Sequence, residues 1–182
     1  MKYTDGDSSI GYKSELLVKK DDNQKISGYV LTFAGTDVYS NNIPKIKDGA
    51  NDMENFLGGS AAQYELAYQM AKKLVSFAEN GAEVTFVGHS LGGGLAALAS
   101  MATGCTAITF NPAVVADIWT DKLKMDNTYH GTSNIYGYVM EGDYITSAQN
   151  FFGFYMQGNF IKVANKTGDD PHGIDTMHKS LQ

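Results

Sequence analysis

The chain of 182 residues is 43% apolar and 12% aromatic, enough to bury a sizeable core in one globular domain. Its formal net charge of −6 argues against a nucleic-acid partner, which would need a basic surface, and gives no general attraction to an anionic bilayer. One cysteine, Cys105, excludes an internal disulfide, and its place before an apolar strand reads as a buried, inert thiol.

The first residues, Met-Lys-Tyr-Thr-Asp-Gly-Asp, are polar and show no Sec signal. No run reaches the roughly 18 apolar residues of a membrane-spanning helix. The expectation is a soluble protein, cytoplasmic or exported by a signal-less route. Residues 12–19 and 26–34 are β-rich runs around Asp21-Asp22-Asn23-Gln24, the pattern of a β-hairpin. Residues 38–59 lack periodicity and read as a long surface loop, with a short helix near 53–57. Ser60-Ala61-Ala62-Gln63 has the form of a capping box. Leu66, Met70, Leu74 and Phe77 follow at helical spacing, and Asn80-Gly81 supplies a stop.

The next stretch organises the chain. Glu83-Val84-Thr85-Phe86-Val87 is a strand pattern, and it runs straight into Gly88-His89-Ser90-Leu91-Gly92. An Ala/Leu-rich helical pattern follows at once, ending at Gly104. Strand, Gly-x-Ser-x-Gly, helix is the context of a nucleophile elbow, in which a serine sits on a strained turn between closely packed elements. Glycines on either side remove the side chains that would clash. The helix N-terminus behind the serine offers free N–H groups and a positive dipole end to an oxyanion.

After the elbow, residues 106–110 read as a buried strand stopped by Asn111-Pro112. Residues 113–134 look irregular, with a short helix near 114–123. Residues 134–140 form a strand pattern ending in Glu141-Gly142-Asp143. Residues 151–156 are aromatic, 160–163 suit one more strand, and a last helix is expected from Gly173 to Leu181. Strands and helices that alternate in this way predict a mostly parallel sheet with helices on both faces, the α/β-hydrolase arrangement in a short version.

A serine hydroxyl needs a base, an orienting acid and oxyanion donors, which in this fold follow in the order Ser, Asp/Glu, His on loops after strands. Asp143 follows its strand directly and is the leading acid; Asp117 is less well placed. His130 precedes the acid and is out of order. His178, four residues after Ile174 and beside Met177, reads as a packed core histidine. His172, in Asp169-Asp170-Pro171-His172-Gly173, opens the last helix and is the leading base. His89 points along the elbow and reads as structural. The N–H of Leu91 is expected as one oxyanion donor, and Gly35-Thr36 fills the place of the other, with the Thr36 hydroxyl as an added group.

These segments resemble the class 3 (fungal-type) lipase family of α/β-hydrolases. Thr32-Phe33-Ala34-Gly35-Thr36-Asp37 is similar to the family's oxyanion segment, and Gly88-His89-Ser90-Leu91-Gly92-Gly93 to its elbow. Phe110-Asn111-Pro112, Glu141-Gly142-Asp143-Tyr144-Ile145 and Pro171-His172-Gly173-Ile174-Asp175 resemble its Pro, Asp and His segments. The likeness runs from about Tyr29 to the C-terminus. It implies a Ser90-Asp143-His172 triad, Thr36 and Leu91 as oxyanion donors, and an esterase or lipase acting on acyl lipids, phospholipids among them. Ala34 stands where the family has Arg, and the chain is shorter than most members.

The whole chain, 1–182, is thus expected to be one α/β-hydrolase domain. It would need no cofactor or metal, since no His, Cys and carboxylate cluster has ligand spacing. A lipid or small-molecule ester is the expected partner, with transient contact at a lipid interface; residues 38–59 and 151–156 read as an acyl-chain groove or a lid beside the serine, and 151–156 equally as aromatics that close the core at the sheet edge. The same residues would serve an acyltransferase or thioesterase, and a non-catalytic binding module on this fold is the remaining alternative.

Overall fold

The computed structural model describes residues 2–7, 11–35, 61–78 and 81–182. Seven strands lie side by side in chain order: β1 (Lys2–Asp7), β2 (Tyr12–Lys20), β3 (Ile26–Phe33), β4 (Glu83–His89), β5 (Thr106–Phe110), β6 (Ile135–Met140) and β7 (Asn159–Val163). β1, β2 and β3 pair antiparallel, and β3 to β7 pair parallel. The β2–β3 hairpin turns where Asp21 Oδ1 accepts the N–H groups of Asn23 and Lys25 and Gln24 takes φ 62°. That is the local bonding which favours Asx residues in turns. The N-terminal residues, which look like a plain polar segment, form β1. A polar edge strand carries little hydrophobic alternation to read.

Parallel neighbours require crossovers, and α1 (Ala61–Phe77), α2 (Leu91–Thr103), α3 (Asp117–Met125) and α4 (Tyr144–Phe151) sit between the parallel strands in sequence, with α5 (Ile174–Leu181) after β7. Helix α2 is buried from Leu91 through Ala102, as expected of a helix apolar on all sides. Its Gly and Ala residues let it lie close to both sheet and α1. One core joins Leu31, Phe33, Phe86, Ala107 and Ile135 of the sheet to Tyr64, Ala67 and Leu74 of α1, Leu95 and Leu98 of α2, and Leu123 of α3. A second, smaller cluster joins Met140 and Val163 to Met177 of α5. Ile135 and Met140 stand an odd number of residues apart on one strand, so the two clusters lie on opposite sheet faces. Helices therefore cover both faces of a mostly parallel sheet, the α/β-hydrolase arrangement.

Several elements differ from the sequence expectation. The helix expected near 114–123 is α3, which starts later, at Asp117, because the buried residues 113–115 are held by side chains instead: Gln149 Oε1 accepts the Val114 N–H at 2.7 Å and Gln157 Oε1 the Val115 N–H at 3.1 Å. Helix α4 is a feature missed in sequence, because eight residues give too little periodicity. His178 is exposed and meets the Gln182 amide, not the core. The buried face of α5 is Thr176, Met177 and Ser180, with two small hydroxyl residues in place of an apolar stripe. Ile174 and Leu181 are instead 44% and 47% exposed. Cys105 is half-buried rather than enclosed. Thr36, the loop 38–59 with its helix at 53–57, and Ser60 of the capping box lie outside the described residues.

Candidate active site

The site is assembled at the carboxyl ends of β4 and β6. Ser90 follows β4 with φ 55° and ψ −125°, a conformation that costs a non-glycine residue free energy and persists where surrounding structure enforces it. The enforcement is visible in bonds from both sides. The Ser90 N–H donates to the Phe110 carbonyl at 3.0 Å, while the Ser90 carbonyl accepts from Gly93, Gly94 and Ala113 at 2.9, 3.2 and 2.8 Å. The glycine spacing has a steric cause. A β-carbon on Gly92 would fall 2.2 Å from the Phe33 carbonyl oxygen, and one on Gly93 2.8 Å from Pro112 Cβ. The turn is tight because β3, β5 and α2 converge on it.

Asp143 comes off β6 through Glu141-Gly142 and caps α4. Its Oδ2 accepts the Thr146 N–H at 2.8 Å, placing the carboxylate at a helix N-terminus, where negative charge is favoured. Its Oδ1 lies 2.6 Å from His172 Nδ1. His172 stands in the turn before α5, where its N–H donates to Asp170 Oδ1 at 3.0 Å. His172 Nε2 lies 2.9 Å from Ser90 Oγ. All three side chains are buried: Ser90 is 9% exposed, Asp143 2% and His172 6%. With Nδ1–H donated to Asp143, the imidazole presents an acceptor nitrogen to the Ser90 hydroxyl, the arrangement a general base needs.

The structure thus brings together Ser90, His172 and Asp143; Asp170 meets the His172 main chain, while Asp117, Asp169, His130 and His178 lie apart. Asp117 is exposed at the start of α3, and Asp169 pairs with Lys179 on the surface. His130 is exposed, with its N–H on the Met101 carbonyl. Leu91 opens α2, so its N–H belongs to the first helical turn and has no intrahelical acceptor. Gly35 lies against the elbow: a β-carbon there would be 2.8 Å from the His89 carbonyl oxygen and 3.4 Å from Ser90 Cβ.

Three neighbours were not singled out for the site in sequence. His89 Nε2 lies 2.6 Å from the His172 carbonyl oxygen, with the two rings 4.9 Å apart. Burial, then the nearby His172, push the His89 imidazole below its ordinary pKa and keep it neutral. Asn111, at φ 41°, reaches the carbonyls of Pro171 and His172. Asn-Pro looks like a mere strand stop in the sequence; the clue lies in Asn being one of the few residues that tolerates positive φ. Tyr144 places its ring 5.3 Å from that of His172, and burial, then Asp170 and Asp143, raise its phenol pKa.

A groove of about 380 Å³ between α1 and the β2–β3 hairpin, lined by Leu16, Tyr29, Leu31, Met70 and Leu74 among others, shares no residue with this site. Among the described residues no group of three or more His, Cys, Asp or Glu side chains converges as metal ligands, and no helix is long and apolar enough to cross a membrane.

Comparison of the chain with known proteins shows its family. A family model described as a phospholipase-like, Tle-like phospholipase domain matches residues 3–177. The chain belongs to the Tle-like phospholipase domain family. It is 34% identical over 156 residues to a protein named extracellular phospholipase A1 of Serratia liquefaciens, a match that takes in 84% of this chain and 46% of that protein. The chain therefore spans about half the length of that relative. Among solved structures it is similar to lipase II from Rhizopus niveus, with a TM-score of 0.50 and 18% identity, over 93% of this chain and 67% of that one. At that identity the likeness speaks to the fold, an α/β-hydrolase.

Proposed function

We propose that residues 1–182 form one α/β-hydrolase domain that hydrolyses carboxylic esters of acyl lipids, with phospholipids as the favoured substrate class. The observation that carries this reading is the continuous hydrogen-bonded line from Asp143 Oδ1 through the His172 ring to Ser90 Oγ. The phospholipase name of the relative and of the family supports the substrate class. The class 3 lipase family is the finer kinship we assign, on the sequence resemblance, and the fold shared with the Rhizopus lipase is consistent with it.

In this reading the Ser90 oxygen attacks the ester carbonyl while His172 Nε2 takes the hydroxyl proton. Asp143 holds the ring in the tautomer that allows this and stabilises the imidazolium that results. The oxyanion is received by the Leu91 N–H and by Thr36, assigned on its place one residue after Gly35. Each such donor is worth on the order of 10²–10³ in rate. As the carbonyl re-forms, the C–O bond to the glycerol oxygen breaks and the alcohol leaves with the proton from His172. Water, activated by the same nitrogen, then frees the fatty acid and restores Ser90.

Lipid contact in this reading rests on apolar insertion, since the net charge is −6. Phe151, the last residue of α4, at 83% exposure and Tyr155, beyond the helix, at 72% are the side chains assigned to it. The test is incubation with zwitterionic phosphatidylcholine vesicles carrying different acyl chains at the two glycerol positions, with mass-spectrometric identification of the products. Release of one fatty acid with a lysophospholipid is expected. Activity confined to acetate esters would leave a serine esterase and remove the lipid.

A further inference from the structure

The main-chain carbonyl of His172 is a meeting point for side chains from two strands. From the end of β4, beside Ser90, His89 Nε2–H donates to it at 2.6 Å. From the end of β5, Asn111 Nδ2 lies 2.9 Å from the Pro171 carbonyl oxygen and 3.4 Å from that of His172. The other end of the same amide is also committed. Asn111 Oδ1 accepts the Met140 N–H at 2.8 Å, and the Asn111 N–H donates to the Tyr138 carbonyl at 2.9 Å. Met140 ends β6, and its carbonyl accepts the N–H of Asp143 at 3.1 Å. One amide, 0% exposed, therefore joins the strand that delivers Asp143 to the loop that delivers His172.

We propose that His89 and Asn111 are positioning residues, which fasten the His172 loop to the sheet and so set the aim of its imidazole between Asp143 and Ser90. This rests on the reading of those three residues as a catalytic triad. An imidazole turns about two side-chain bonds, but its reach is fixed by where its backbone starts. The loop's own bonds, from the His172 N–H to Asp170 Oδ1 and from the Gly173 N–H to the Asp170 carbonyl, shape a turn without tying it to the sheet. The bonds from His89 and Asn111 do tie it. A shift of about 1 Å at the loop would stretch the 2.9 Å contact between His172 and Ser90 out of hydrogen-bond range, and misplacement of that size is worth about 10² in rate. His89 suits the task because its buried ring stays neutral beside His172, leaving the positive charge formed in the reaction to His172.

The test uses His89→Ala, His89→Gln and Asn111→Gly, the last keeping a residue at ease with positive φ while removing the amide. Each is examined for fold by circular dichroism. Then kcat and KM are measured on p-nitrophenyl butyrate, and the low-field proton NMR signal of the His172–Asp143 hydrogen bond is recorded. His89→Ala and Asn111→Gly should lower kcat about tenfold to a hundredfold with KM little changed, and broaden or abolish the low-field signal. His89→Gln, whose amide can donate to the same carbonyl, should recover most of the rate and the signal. Folded variants with the parent kcat and an unchanged signal would overturn the proposal; if Asn111→Gly does not fold, the His89 pair decides. Failure of the parent reading is told apart by the unsubstituted protein: if a fluorophosphonate leaves its Ser90 unmodified, there is no triad for these residues to position.

Discussion

Gly88 and Gly92 meet across the elbow so closely that a β-carbon on Gly88 would lie 2.0 Å from the Gly92 carbonyl oxygen. The contact is backbone against glycine, with no flexible side chain to move aside. Gly88→Ala must therefore displace either β4 or the first turn of α2, which carries Ser90 at its N-cap. The expected cost is that of overpacking, roughly 1–3 kcal/mol or more, read as a lower urea midpoint with unchanged slope. Labelling of Ser90 should fall with it. A variant of parent stability and reactivity would mean that the elbow is looser than its geometry.

Asp143 has two tasks that one substitution separates. Asparagine caps helices about as well as aspartate, so Asp143→Asn should keep α4 and most of the stability. It also donates where the carboxylate accepts, and so favours the wrong imidazole tautomer. Turnover of a soluble ester should fall roughly 10⁴-fold with the melting temperature nearly constant. A loss of rate that merely follows unfolding would assign Asp143 to structure.

The two C-terminal histidines should behave oppositely. His178 is exposed, so His178→Ala should alter stability by no more than about 0.5 kcal/mol and leave the rate alone. His172→Ala should cost several orders of magnitude in acylation of Ser90. Calorimetry and single-turnover labelling on both variants check the pair.

His89 gives a pH dependence with a definite sign. Its pKa is lowered by burial in the native state, so below the ordinary histidine value of about 6.5 the unfolded chain binds more protons than the folded one. This contribution to stability is complete above that value and is lost as pH falls toward the lower native one. His89→Gln removes the titration while keeping a donor. Urea melts at pH 7 and pH 5 should show the parent losing more stability than the variant; equal losses would contradict a neutral, buried His89.

The elbow and the identities of Ser90, His172 and Asp143 as candidates were legible because their signals are local: a glycine spacing between two periodic segments, and polar residues just after strands. Asn111 and His89 were not legible as partners of His172, because their bonds span 60 to 83 residues and end on main-chain carbonyls, which leave no mark in a sequence pattern. The same holds for Gln149 and Gln157, whose side chains stand in for β-partners along residues 113–115. The exposure of His178 is hidden in the sequence because the buried face of α5 is built from Thr176 and Ser180 on either side of Met177.

The central claim is that Ser90 is a nucleophile activated by His172. The most direct measurement is the rate and site of modification by a fluorophosphonate, mapped by mass spectrometry in the parent protein and in His172→Ala. A single adduct on Ser90 that forms readily in the parent and several orders of magnitude more slowly in the variant is the predicted result. A folded parent protein whose Ser90 stays unmodified, or that labels equally fast without His172, would contradict it.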